Sequence, residues 1–590
     1  MRASVLAVAL ILFGPATAQQ ATDAIAPEGA GAGELRVPPM LAAAQEAKAA
    51  GRPVEAETWM IAAAHPLAVE AGAKVLATGG TAADAMVAVQ AVLGLVEPQS
   101  SGLGGGAFLV WHDGASGEIT TLDGRETAPL AATPRLFQDE AGQPLEFFDA
   151  VVGGRSVGTP GIPALLAEAH ARWGRAAWAG LFADAIRLAD DGFPVSPRLA
   201  TLIAEDAGRL SRFADTRDYF LPAGIPLKAG EIRRNPDYAD TLRLLARKGG
   251  AAFYTGDMAL DIAERVQRAG GNPGVLAPLD LAIYRVRERP AVCMLYRGYE
   301  VCGMGPPSSG ATTVGQSLGL LEPFDLAALG PDSPEAWRLI GDASRLAFAD
   351  RGRYLADSDY VPVPVKGLLA PDYLRSRSDL LRGDDMLPEV APGNPAFDHA
   401  LNLADDRALE LPSTSQISIV DGYGNALSMT TTIENGFGSR LMVHGFLLNN
   451  QLTDFSFASH DNGRPIANRV EPGKRPRSSM APTILRRDGR PVLVLGSPGG
   501  SRIIGYVVKT IIAWVDWGMD AQAAVALPHL VNRFGPYDLE IGAGALAGPL
   551  RAMGYEVDET ELTSGLNVIA LGVRLQGGAD PRREGLVYGQ

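Results

Sequence analysis

Residues 414–432 constrain this chain more tightly than any other segment. Thr414-Ser-Gln-Ile-Ser-Ile-Val-Asp421 and Asn425-Ala-Leu-Ser-Met-Thr-Thr-Thr432 are rich in β-branched side chains and flank Gly422-Tyr-Gly424. That pattern predicts a β-hairpin closed by a three-residue loop. Setting Asp421 opposite Asn425 pairs Ile417 with Met429 and Ile419 with Leu427 on an apolar face. Gln416/Thr430, Ser418/Ser428 and Thr414/Thr432 then share the opposite, polar face, because strand side chains alternate. Taken alone, this is a half-buried hairpin that many β proteins contain. Its chemical interest is that two threonine hydroxyls come to face each other, where a self-cleaving precursor would need them.

Composition sets bounds without naming a chemistry. A chain of 590 residues with 47% hydrophobic content buries a large core, either as one intertwined unit or as up to three domains. The net charge is -15 and there is no Lys/Arg block or basic stripe, which argues against nucleic acid and anionic membrane surfaces as partners. Arg2 precedes the apolar run Ala3 to Phe13, and Ala16-Thr-Ala18 offers a small-residue cleavage site. Residues 1–18 therefore read as a secretory signal, with an uncleaved anchor as the alternative, and the mature protein is expected in the periplasm or secreted. Gln19 to Ala56, rich in Ala, Gly, Pro and Glu, reads as a leader lying over the surface or disordered.

The two cysteines agree with export. Cys293-Met-Leu-Tyr296 and Tyr299-Glu-Val-Cys302 flank Arg297-Gly298. A two-residue turn there sets Cys293 opposite Cys302 at a non-hydrogen-bonded position, where Cα atoms approach to about 4.5 Å and a disulfide can form. Two buried thiols in a strand pair are the alternative.

Elsewhere the elements alternate as stacked layers require. Pro66 to Thr78 has helical spacing, and Thr81 with Asp84 caps a second helix over Ala82 to Val96. Gly102 to Gly106 leads into the strand-like Ala107 to Trp111; it follows a helix and opens a strand, the reverse of a phosphate loop, so it reads as backbone packed closely in a core. Residues 160–270 read as mostly helical, as does Glu335 to Leu346. Asp379 to Leu411, polar and proline-bearing, reads as an exposed tail. The seven histidines show no zinc spacing, two cysteines cannot build a structural zinc site alone, and there is no G-x-S-x-G elbow. No metal or cofactor is called for.

Several ordered motifs carry a resemblance. Thr414-Ser-Gln-Ile-Ser, Leu447-Leu-Asn-Asn-Gln-Leu-Thr-Asp-Phe-Ser456, Arg475-Pro-Arg-Ser-Ser-Met-Ala-Pro-Thr483 and Gly496-Ser-Pro-Gly-Gly-Ser-Arg502 follow Thr81-Ala-Ala-Asp-Ala85, Gly102 to Phe108, Asp123-Gly-Arg-Glu126, Phe253-Tyr-Thr-Gly256 and Pro306-Pro-Ser-Ser-Gly310. Together they resemble the gamma-glutamyltransferases (glutathione hydrolases), a family of N-terminal-nucleophile hydrolases, from about residue 58 to the end. The resemblance implies an α/β fold, a four-layer αββα sandwich built from two autoprocessed subunits, 19–413 and 414–590. It implies that Thr414 is the nucleophile, since an N-terminal amine with a pKa near 8 can act as its base, and that Thr432 orients it. Gly499 and Gly500 match the family's oxyanion hole. Arg125, Ser478 and Ser479 match the residues that hold the glutamyl α-carboxylate, and Gln451 and Asp454 those that hold its ammonium. The implied partners are glutathione or other gamma-glutamyl compounds as donors, and water, an amino acid or a peptide amine as acceptor.

Two departures bear on substrate. Glu434, followed by Asn435, stands where the family commonly has asparagine, so two carboxylates, Glu434 and Asp454, are expected to compete in one pocket and one to hold a proton. The stretch between Ser456 and Arg475 is shorter than the lid loop of many relatives and lacks its mid-loop aromatic, which implies a more open site. Three readings follow: a gamma-glutamyl hydrolase/transferase, a cephalosporin/glutaryl-type acylase on the same scaffold, and a scaffold that binds amino-acid-like ligands without turnover.

Overall fold

A computed structural model describes residues 35–398, 402–406 and 408–590. The signal-like residues 1–18 and the leader up to residue 34 lie outside the described residues. From Pro39 onward the leader is ordered: a 3-10 turn, the helix Ala42–Ala49 and the strand Val54–Ala56. Composition alone missed that the strand pairs with Leu575–Ala579 at the edge of a sheet.

Two seven-stranded sheets form the centre. In one, Met60–Ala63, Ser415–Val420, Ala426–Thr432, Gly106–His112 and Ile119–Gly124 are consecutive antiparallel neighbours. In the other, Asn567–Leu571, Arg490–Gly496, Thr483–Arg487 and Tyr299–Gly303 run side by side. One apolar cluster fills the space between the first sheet and the helices Pro66–Ala77 and Ala82–Val96, and it includes Ile417, Ile419, Leu427 and Met429. A second cluster joins the other sheet to Gly310–Leu321, Pro334–Tyr354 and Ile503–Val515. A third and smaller one, with Met60, Val110, Ile484, Val494 and Ile569, lies between the sheets. Three cores separate four layers, which is the αββα sandwich.

The expected hairpin forms with the register read from the sequence, from Ser415↔Thr431 to Val420↔Ala426, and Asp421 N–H donates to the Asn425 carbonyl across the loop. It differs in burial. Both faces are covered, because the hairpin lies inside its sheet and its polar face meets the second sheet. Ser418 Oγ donates to the Asn567 carbonyl and Ser428 Oγ to the Leu495 carbonyl, 3.0 and 2.8 Å. Those bonds make a buried polar face tolerable.

All fifteen residues of Ala82–Val96 are buried, as expected of a helix apolar on every side. Thr81 and Asp84 form its capping box, and Asp421, from the hairpin loop, accepts from Ala82 N–H at 2.8 Å. Polar composition misled at the end of the 379–411 tail, since Leu403, Ala404, Glu410 and Leu411 are buried. An exposed tail fits only its earlier part.

Arg297 (φ 50°) and Gly298 (φ 80°) make the two-residue turn, and Cys293 and Cys302 are disulfide-bonded with Cα atoms 4.1 Å apart. The bridge closes a short loop in an edge hairpin far from the hydroxyl pair in sequence. A Cys293→Ser/Cys302→Ser double variant should lose about 2–3 kcal/mol, seen as a melting temperature lowered by a few degrees. Fully retained activity is expected alongside.

Candidate active site

Thr414 immediately precedes the first strand of the central hairpin and Thr432 ends the second, so the ladder register beside them sets their spacing. Their Oγ1 atoms are 3.3 Å apart, and Thr414 donates to Thr432. Thr432 in turn donates to the carbonyl oxygen of Ser413, at 3.0 Å, and the Thr414 hydroxyl lies against that same oxygen. Glu434 N–H donates to Thr432 Oγ1 at 2.9 Å, and Arg583 Nη1 to the Thr414 carbonyl at 3.0 Å. The glycine run is needed beside this pair: a Cβ on Gly105 would stand 2.0 Å from the Thr432 carbonyl oxygen.

The segment before Thr414 fills the rest of the site. Arg125, Thr414, Thr432, Glu434, Gln451, Asp454, Ser478, Ser479 and Gly500 line a cavity of only about 20 Å³, and Glu410, Leu411 and Ser413 line it from the other side. The open site expected from a short lid is not found in the uncut chain, because its own segment occupies the space. Phe457, at the start of that stretch, stacks on Phe137 at 4.7 Å instead of closing over the pocket. Gly499 and Gly500 have φ of 136° and 56°. A Cβ on Gly500 would meet the Leu411 carbonyl carbon at 2.8 Å, so glycine lets the uncut segment lie directly on this turn.

Charges converge on the same volume. Arg125, fully buried, pairs with Asp454 and also donates to the Pro476 and Arg477 carbonyls at 3.2 and 2.9 Å. Gln451 Nε2 donates to Asp454 at 2.8 Å. Burial raises Asp454 to about 6 against the pull of Arg125, with Glu410 adding repulsion. Glu434 accepts from Asn450 Nδ2 and, at 3.3 Å, from Leu411 N–H. Burial first, and then the Asp454 carboxylate, push Glu434 well above the usual carboxylate range. The competition expected of the two carboxylates is thus present. Glu434 also holds a φ of 76°, a left-handed position that asparagine occupies with less strain.

Ser478 and Ser479 are presented by the Pro306–Gly310 motif: Ser478 N–H donates to the Pro307 carbonyl at 3.1 Å, and Ser309 N–H to the Ser478 carbonyl at 2.7 Å. Ser479 Oγ donates to Glu410 at 2.5 Å and accepts from Arg351 at 2.8 Å.

Sequence reading missed Glu97, Arg351, Glu410, Arg477 and Arg583. Glu97 accepts from Ser415 Oγ at 2.5 Å and pairs with Arg198 at 2.7 Å, and burial raises it to about 7. It thereby anchors the start of the Ser415–Val420 strand. Only Arg477 carried a signal, inside the Arg475–Thr483 run.

Comparison with known proteins agrees with this geometry. The family model described as gamma-glutamyltranspeptidase matches residues 68–590. The chain belongs to the gamma-glutamyltranspeptidase family. Glutathione hydrolase proenzyme of Bacillus subtilis (strain 168) is 38% identical over 545 residues, 90% of this chain and 91% of its own. Acylase ACY 1 proenzyme of Pseudomonas sp. (strain SE83) is 34% identical, over 88% and 91%. The crystal structure of cephalosporin acylase from Bacillus halodurans superposes with a TM-score of 0.81 at 28% identity, over 91% and 97% of the two chains. The fold is therefore the N-terminal-nucleophile sandwich, and the chain is an enzyme of this family.

Glu434 binds its proton more tightly in the folded chain than in the unfolded one. Its contribution to stability is complete below about pH 4 and is lost as pH rises through its raised value. In an uncleavable Thr414→Ala background, Glu434→Gln removes that dependence. The melting temperature of the Gln variant relative to its parent should climb as pH rises above about 4.5. A difference flat in pH would show that Glu434 titrates like an exposed carboxylate.

Proposed function

We propose that the chain is a self-cleaving precursor of an extracytoplasmic gamma-glutamyl hydrolase/transferase, in which Thr414 first breaks its own peptide bond and then carries the gamma-glutamyl group. The observation that supports this most directly is the relay Thr414 hydroxyl, Thr432 hydroxyl, Ser413 carbonyl oxygen. As Thr414 Oγ1 attacks the Ser413 carbonyl carbon, its proton passes toward Thr432. Thr432 simultaneously stabilises the developing oxyanion with its own hydrogen. The C–N bond then breaks, the proton ends on the Thr414 nitrogen, and water hydrolyses the Ser413 ester. The products are subunits 19–413 and 414–590, if the leader is removed after residue 18.

In the mature enzyme the freed α-amine takes the Thr414 proton when a gamma-glutamyl carbonyl is attacked. Gly499 and Gly500 supply backbone N–H groups for the oxyanion. Arg125, with the Ser478 and Ser479 hydroxyls, takes the α-carboxylate, and a guanidinium fork suits that planar group. Asp454, with Gln451 and Glu434, takes the ammonium. Water, an amino acid or a peptide amine resolves the ester. The Cys293–Cys302 disulfide supports an oxidising location outside the cytoplasm. Among the described residues no helix is long and apolar enough to cross a membrane.

A second reading, a glutaryl-type acylase, is favoured by the likeness to the two acylases. Side-by-side assay of a gamma-glutamyl anilide and a glutaryl amide separates the two, since a glutaryl group has no ammonium for Asp454. Faster turnover of the glutaryl amide would reject the first reading.

The small fragment of the expressed protein should begin at Thr414 on N-terminal sequencing, and Thr414→Ala should remain one inactive chain. A start elsewhere, or activity in an intact chain, rejects the mechanism. Arg125→Lys should still self-cleave while the KM for gamma-glutamyl donors rises tenfold or more, as expected for about 2 kcal/mol lost with the bidentate fork.

A further inference from the structure

Thr414 lies just outside the hairpin ladder, which begins at Ser415↔Thr431. Its carbonyl accepts instead from Arg583 Nη1 at 3.0 Å, across 169 residues of chain. Arg583 is 4% exposed, and burial lowers its guanidinium to about 9, so it is still a cation at neutral pH. A charge is taken this far out of water only at a cost, and here it is aimed at the main chain of one threonine.

The turn that carries Arg583 is held on three sides. Asp580 accepts from Leu566 N–H through Oδ2 and from Arg582 N–H through Oδ1, both at 3.0 Å. Lys48, from the helix Ala42–Ala49, donates to the Arg583 and Gly585 carbonyls at 2.6 and 2.7 Å. The Arg583 stem runs past Gly565, where an added Cβ would stand 3.0 Å from Arg583 Cδ and 2.6 Å from Pro498 Cγ. One glycine therefore seats both the arginine that reaches Thr414 and the proline that leads into Gly499 and Gly500.

In the uncut chain three groups on the Thr414 Cα are tethered: the hydroxyl to Thr432, the carbonyl to Arg583, and the nitrogen by its peptide bond to Ser413. Cutting that bond frees the nitrogen at a new chain terminus, where order is lost unless the end is tied down. With hydroxyl and carbonyl both still held, the fixed chirality of Cα and its staggered rotamers leave the amine one place, beside its own hydroxyl. A general base must stay within hydrogen-bond reach of the proton it takes. The bond from Arg583 is charge-assisted, which makes it stronger than one from a neutral donor.

We propose, with Thr414 read as the nucleophile, that Arg583 is a positioning residue whose bond to the Thr414 carbonyl keeps the freed amine beside the Thr414 hydroxyl. Self-cleavage takes place while the nitrogen is still fixed in the peptide, so turnover depends on this hold more than maturation does.

Arg583→Met and Arg583→Lys test this in the full chain, with γ-glutamyl-4-nitroanilide as donor. Arg583→Met should still yield two subunits, and its processed form should lose about tenfold in kcat with KM changed by less than about twofold, because Arg125, Ser478, Ser479 and Asp454 are untouched. Arg583→Lys, which keeps the charge and one donor, should recover part of that kcat. A crystal structure of the processed parent should show Arg583 still bonded to the Thr414 carbonyl, whatever the variants do. An Arg583→Met chain that stays uncut, a loss carried by KM, lysine no better than methionine, or a Thr414 carbonyl released by Arg583 in the processed parent would overturn the role. Donor turnover that survives in Thr414→Ala would instead remove the Thr414 reading, and the role of Arg583 with it.

Discussion

The polar face of the central hairpin is the constraint on which this molecule depends. Gln416, Ser418, Ser428 and Thr430 lie between two sheets, where an unpaired hydroxyl or amide costs on the order of 1–3 kcal/mol. Each is bonded: Thr430 Oγ1 to Gln416 Oε1 at 2.7 Å, Gln416 Nε2 to Ser428 at 3.0 Å, and the two serines to carbonyls of the opposite sheet. A slip of one residue would bury Ile417 and Ile419 where those bonds are and strand the hydroxyls among the helices. Register is therefore locked over the whole hairpin. The facing of Thr414 and Thr432 follows from it, with no contribution needed from the pair itself.

The charges nearest this strand end are arranged so that the uncut chain is neutral in patches. Arg125 answers Asp454, Arg198 answers Glu97, and Arg351 with Arg477 answer Glu410 with Asp406. Buried ion pairs contribute little net stability, because desolvation offsets attraction, but losing one partner costs several kcal/mol. Each pair thus fixes geometry more than it stabilises. Glu434 is an exception, since among the described residues its direct partners are Asn450 and a backbone N–H, with no cation bonded to it. A proton is the least costly way to neutralise it, and this is why its pKa rises.

Much of the molecule was legible in the sequence wherever local pattern and global position agree. The hairpin register, the disulfide pair and the Thr81/Asp84 capping box depend on alternation, a two-residue turn and a three-residue spacing, all local quantities. Burial of the hairpin on both faces was not legible, because a serine facing water and a serine facing another sheet look alike in one strand. The end of the Asp379–Leu411 segment failed for a related reason. Its acidic, proline-bearing composition matches an exposed tail, yet Glu410 is buried by arginines contributed from residues 351 and 477. Long-range charge pairing leaves no periodic trace. Gly499 and Gly500 were recognisable by motif, whereas what Gly500 meets in the uncut chain, the carbonyls of Glu410 and Leu411, comes from a segment about ninety residues away.

The same segment links folding to chemistry. Residues 410–413 fill the pocket nearly completely, so in the uncut chain the Ser413 carbonyl meets two hydroxyls in a space with little room for water. Exclusion of water strengthens the Thr432 hydrogen bond to that carbonyl and keeps the amide from competing solvent contacts. On the proposed mechanism, the Thr414 ester would then be hydrolysed only after part of the segment moves. The proposed cleavage would remove the covalent restraint at Ser413 while Glu410 keeps its ion pair with Arg351 and its bond from the Ser479 hydroxyl. The site thus folds around an occupant of its own.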